Sequence, residues 1–193
     1  MSFAQHVHKM SNSELIGLAK NRFIDEDTQL EIARHPYLRA RQYLCENPSI
    51  TESVVDELVA GRAWSCKLIL TSVGRLNNRQ EDIRQIYQGL PGRMKQPWRI
   101  LNCFLRSYWR HRTDGSGIIN TPSDIIDEIY TNFINLKGLS ANGNWFQRNA
   151  IEVMVEHPNT SDHVLLSISQ SAPQPVAAKA LLIASERKRQ LSD

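Results

Sequence analysis

Cysteine, aromatic residues and long apolar runs are all scarce in this chain of 193 residues. Its three cysteines, Cys45, Cys66 and Cys103, form no C-x-x-C pair. An odd number at wide spacing makes neither a disulfide framework nor a zinc cluster, and it fits a reducing compartment. No apolar stretch nears the ~20 residues needed to cross a bilayer. The opening residues 1–14 have no apolar core of the kind a secretion signal carries. A cytoplasmic protein that makes no use of a membrane is therefore expected.

Catalytic signatures are missing as well. There is no H-E-x-x-H, no G-x-S-x-G and no pair of Rossmann glycines. The stretch Thr113-Asp114-Gly115-Ser116-Gly117 lacks the lysine of a phosphate-binding loop and follows no strand-like run, so it reads as a surface loop. Of the histidines, His6 and His8 have no third ligand near them in sequence. A non-enzymatic protein without cofactor, metal or small-molecule substrate is the expectation.

What the chain does contain is an echo. LAKNRFIDEDTQLEI begins at Leu18, LCENPSITESVVDEL begins 26 positions later at Leu44, and MVEHPNTSDHVLLSI begins at Met154. Self-similarity at such a period marks an architecture in which one supersecondary unit is copied because it cannot bury its apolar face alone. The unit reads as helix, turn, helix. Ser11 and Glu14 fit a capping box ahead of Leu15, Ile16, Leu18 and Ala19, and Ser49 and Glu52 fit another ahead of Val54, Val55 and Leu58. In the 26-residue register Ala40 falls opposite Cys66 and Leu44 opposite Leu70, which makes the cysteine a small packing residue. His35 and His157 precede prolines as Asn47 does, so their rings are expected to bond loop carbonyls. No period-2 alternation persists over a useful length. The fold class is all-α, an α-solenoid of about five helical pairs. One helical-repeat domain covers 1–193: repeats over 11–92, an irregular basic helix and loop over 93–117, further repeats over 118–185, and a charged tail over 186–193.

The phrases Glu46-Asn47-Pro48-Ser49-Ile50 with Val54, Val55 and Leu58, and Glu156-His157-Pro158-Asn159-Thr160 with Val164, Leu165 and Ile168, resemble the leucine-rich repeat variant family, a HEAT-like relative of the α-solenoids. Ala33-Arg34-His35-Pro36 and Asn120-Thr121-Pro122 match less well. The likeness runs over about 15–90 and 118–185. It implies a right-handed superhelix of alternating helices and a role in contacts with other macromolecules; it supplies no catalytic residues.

The last absence points to a site. No acidic residue occurs between Asp82 and Asp114, while Arg84, Arg93, Lys95, Arg99, Arg106, Arg110 and Arg112 all fall in that window. The spacing predicts one long helix over 97–112. On it Arg99, Asn102, Arg106 and Arg110 lie within about 80° of one another, with Trp98, Leu101, Leu105, Tyr108 and Trp109 on the other side. Guanidinium forks match carboxylate and phosphate geometry. The stripe, with Arg93, Lys95, Arg112 and Trp109 beside it, is thus a docking surface for an acidic protein or for a nucleic-acid backbone. The competing reading is a solvated face whose arginines meet carboxylates of adjacent repeats. Of the four tryptophans, Trp109 and Trp145 adjoin loops and are the expected exposed pair; Cys103, on the basic helix, is the one thiol worth testing, though no catalytic role is expected of it.

Overall fold

The computed structural model describes residues 4–106, 118–134 and 145–190. Within them are eleven α-helices and no sheet; an isolated bridge between Arg106 and Ile118 is the nearest approach to β structure. Arg110, Arg112, Trp109, Tyr108 and the predicted loop 113–117 lie outside the described residues, as does the side chain of Trp145. The described residues divide into two compact units, one within 4–78 and the other within 79–106, 118–134 and 145–190.

The first unit holds a 3-10 turn Ala4–Lys9 and helices α1 (Asn12–Lys20), α2 (Glu26–Arg34), α3 (Leu38–Glu46), α4 (Glu52–Ala60) and α5 (Trp64–Ser72). Helix α1 packs on α3 and α3 on α5, while α2 packs on α4, so alternate helices form two layers. The apolar register explains this. Leu15, Ala19, Ala40, Leu44, Cys66 and Leu70 come from one layer and Ile32, Val54 and Leu58 from the other, and all are buried. Burying a leucine or isoleucine contributes about 1.5–3 kcal/mol. Opposed pairs in the repeat register thus occupy equivalent environments, Ala40 with Cys66 and Leu44 with Leu70.

Helix starts follow local chemistry where the cap is free to act. The Ser11 hydroxyl accepts from the Glu14 backbone N–H, and the Glu14 carboxylate accepts from Ser11 N–H at 2.7 Å, the reciprocal box that the sequence predicts. Asp25 caps α2 at 2.8 Å from Thr28 N. The second predicted box does not form. Thr51, not Ser49, is the N-cap of α4; its side chain makes no capping bond, and its hydroxyl lies 3.1 Å from that of Ser53, while Ser49 N–H donates to the Asn47 side chain at 3.0 Å.

That asparagine belongs to a ladder along the loops. Asn47 Nδ2 donates to the carbonyls of Ala19 and Asn21 at 2.8 and 2.9 Å, and Arg75 Nη2 in turn donates to Asn47 O at 2.9 Å. Asn21 is the counterpart one repeat earlier; its side chain accepts from Phe23 N–H at 3.0 Å. His35 is therefore not in this position: it follows α2 rather than α1, accepts from Tyr37 N–H, and stacks on His8 with ring centroids 5.7 Å apart.

The second unit contains α6 (Gln80–Gly89), a 3-10 turn Gly92–Met94, α7 (Pro97–Ile100), α8 (Ser123–Ile129), α9 (Trp145–Glu156), α10 (Asp162–Ser171) and α11 (Val176–Gln190). Helix α11 extends five residues beyond the predicted helix end at Ser185, into the expected tail. It packs on α10 and α9. The loop ladder recurs: His157 Nε2 bonds Ile119 O at 2.7 Å, its Nδ1 accepts from Asn159 N–H, and Arg187 donates to the carbonyls of Pro158 and Thr160. His157 does stand where Asn47 stands.

Candidate anion-binding segment

The long basic helix predicted over 97–112 ends early. Helix α7 passes into a π-turn at Leu101–Leu105, closed by Arg106 N–H to Leu101 O at 3.0 Å, and Arg106 itself is extended at φ −141°, ψ 119°. The cause is non-local. Ile119 N–H donates to Leu105 O at 3.2 Å and the buried Thr121 hydroxyl donates to Phe104 O, so the carbonyls that would carry the helix onward are taken. Arg99, Asn102 and Arg106 therefore do not lie on one helical stripe.

The structure sorts the basic residues of this window. Arg84 is neutralised: its Nε lies 2.9 and 3.2 Å from the two Asp124 carboxylate oxygens and its Nη1 lies 3.4 Å from Glu81. The Arg84 bond holds the Asp124 carboxyl below the usual range. Arg106 lies 3.9 Å from Glu156, a carboxylate that Lys179 already contacts at 2.8 Å. Arg93, Lys95 and Arg99 have no carboxylate within ion-pair distance among the described residues. Lys95 Nζ sits 4.8 Å from the centroid of the Tyr87 ring, and Arg99 Cζ sits 5.0 Å from that of Trp98.

Trp98 is where the sequence reading missed. Its helical spacing with Leu101 and Leu105 assigns it to the core, yet 52% of it is exposed. It stands in the first turn of α7, immediately after Pro97, and that position is the one signal in the sequence that its ring extends past the packed face. Its indole N–H donates to Gln96 Oε1 at 2.9 Å. Behind it the segment is anchored: Ile100, Leu101, Phe104 and Leu105 are buried, and Phe104 meets Tyr87 edge-on at 5.3 Å and 84°. Asn102 is half-buried. Burial pushes the Cys103 thiol up to about 12, so at neutral pH it stays protonated and a poor nucleophile.

Among the described residues no group of three or more His, Cys, Asp or Glu side chains could hold a metal ion, and no helix is long and apolar enough to cross a membrane. The arrangement is an anchored turn that exposes one indole and Arg93, with Lys95 and Arg99 half-buried along the same segment. No family model, curated protein or solved structure matches the chain.

Proposed function

We propose that the protein is a non-catalytic interaction protein that binds an anionic macromolecule through residues 93–99. One observation carries the reading: Arg93, Lys95 and Arg99 stand within a seven-residue stretch with no carboxylate in ion-pair reach among the described residues, along with an exposed indole, while Arg84 and Arg106 each have a carboxylate in reach. Cations kept close together repel each other unless an anion approaches, and desolvating them against a partner strengthens the contact. The architecture proposed for the whole chain is a cytoplasmic α-solenoid, a right-handed superhelix of about five helical pairs related to the leucine-rich repeat variant and HEAT-like families. The two-layer alternation of α1 to α5 and the recurring loop ladder support it.

An acidic protein surface and a nucleic-acid backbone both offer the required anions. Carboxylates satisfy the three cations alone; the exposed indole favours nucleic acid. The test is retention on immobilised heparin and anisotropy with labelled poly-L-glutamate and oligonucleotides. Arg93→Glu with Arg99→Glu is expected to weaken capture of polyanions at least about tenfold at low salt, with an unchanged melting temperature. Arg84→Ala is expected to leave capture intact. Equal capture by the double variant and the parent removes the proposal.

A further inference from the structure

The anion-binding reading of residues 93–99 leaves one feature without a use: why an indole should be held out in solvent among the cations. Its polar atom does not require it, since the N–H is already bonded to Gln96. Nor is the ring a loose end, because the residues that follow it are buried in the core. We propose that Trp98 is a stacking platform for an unpaired base and that Arg93, Lys95 and Arg99 take the phosphates beside it, so that the partner is a single-stranded nucleic acid.

Four properties of the segment fit that use. The ring is flat, half-exposed and tethered by its N–H to Gln96, on a backbone anchored by the buried Ile100, Leu101 and Phe104, so little side-chain entropy is lost on binding. Arg99 lies over it at 5.0 Å, which adds a cation to the stack. Arg93 lies within the short turn Gly92–Met94 and Lys95 follows it, both close enough in the chain to Trp98 to meet phosphates beside a stacked nucleotide. Asn102, four residues beyond the ring, carries a half-buried side-chain amide able to pair with a base edge, and that amide makes no hydrogen bond among the described residues. Duplex bases are buried in their own stack and cannot reach such a ring, which is why a single strand is the fitting partner.

The proposal rests on the anion-binding reading, and the experiment separates the two. Labelled oligothymidylate, oligouridylate, a duplex and poly-L-glutamate are titrated into the full chain by anisotropy at two salt concentrations. The single strands are expected to bind more tightly than the duplex, with a log–log salt slope near −2, from about 0.7 per cation contacted. Trp98→Ala is expected to lose at least about fivefold in single-strand affinity, the lower end for one base–aromatic stack, and Trp98→Phe to recover part of it. Trp98→Ala binding as the parent does, while Arg93→Glu with Arg99→Glu loses binding, overturns the stacking and leaves the basic segment standing. Preferential binding of poly-L-glutamate overturns the nucleic-acid assignment in favour of an acidic polypeptide. Binding of none of the four probes overturns both. Circular dichroism melts of each variant exclude unfolding as the cause.

Discussion

A histidine shows how one side chain can carry a structural task and a pH dependence together. His157 is buried and uses both ring nitrogens, one toward Ile119 O and one accepting from Asn159 N–H. Burial lowers its pKa from 6.5, and the nearby Arg187 charge acts the same way against the Ile119 bond. The unfolded chain therefore takes up the proton first as pH falls. Stability is full above 6.5 and is lost as pH drops from there toward the lowered folded value. His157→Asn keeps an acceptor and a donor, as Asn47 does at the matching position. It is expected to flatten the fall of the melting temperature below pH 6.5 relative to the parent. His157→Ala strands the buried Ile119 carbonyl and is expected to cost about 2 kcal/mol in urea unfolding at neutral pH. Parallel pH profiles for the parent and His157→Asn would remove His157 as the source of the dependence.

Between helices, the loop ladder accounts for order that the helices do not supply alone. Asn47 makes three hydrogen bonds to two successive turns, whereas Asn21 uses its side chain once, to an exposed backbone N–H. Asn47→Ala is expected to cost about 3 kcal/mol and Asn21→Ala under about 1 kcal/mol, read from urea midpoints. Equal costs would mean the inter-repeat bonds add nothing to folding. The same contrast marks what the sequence could disclose. The 26-residue register of Leu44 with Leu70 and Ala40 with Cys66 is local periodicity, and it was legible. So was the Ser11–Glu14 box, whose partners are three residues apart. The end of α7 was not, because the groups that stop it, Ile119 N–H and the Thr121 hydroxyl, come from a distant segment with no periodic signature. Thr121→Val tests that account: amide exchange at Arg106 and Ile119 is expected to quicken, while exchange in α2 and α3 stays as it was. Of the site, the acid-free window was readable as a count of charges. The pairing of Arg84 with Asp124, across 40 positions, and the exposure of Trp98 depend on packing and were not.

Across the chain, charge alternates with helix number. Helices α2, α4, α6, α8 and α10 carry twelve acidic residues and two basic ones, whereas α1, α3, α5, α7, α9 and α11 carry ten basic and five acidic. Part of this is helix chemistry, since acids such as Glu26, Asp27, Glu81 and Asp82 sit in first turns, where the backbone dipole favours them. Its consequence is that a net charge of only +3 conceals a segregated distribution. Attraction between exposed charges fades beyond a Debye length of about 8–10 Å, so a polyanion should respond to the cations it touches and not to the sum. Asp27→Asn with Asp56→Asn raises the net charge by two on the acidic helices α2 and α4. Arg93→Ala with Arg99→Ala lowers it by two at the basic segment. The first pair is expected to change heparin elution and oligonucleotide affinity by less than about twofold, and the second to lower affinity at least about tenfold at low salt, with the difference shrinking as salt rises. Affinities that track net charge, rising with the first pair as much as they fall with the second, would mean that binding is a diffuse property of the surface and that residues 93–99 are not its site.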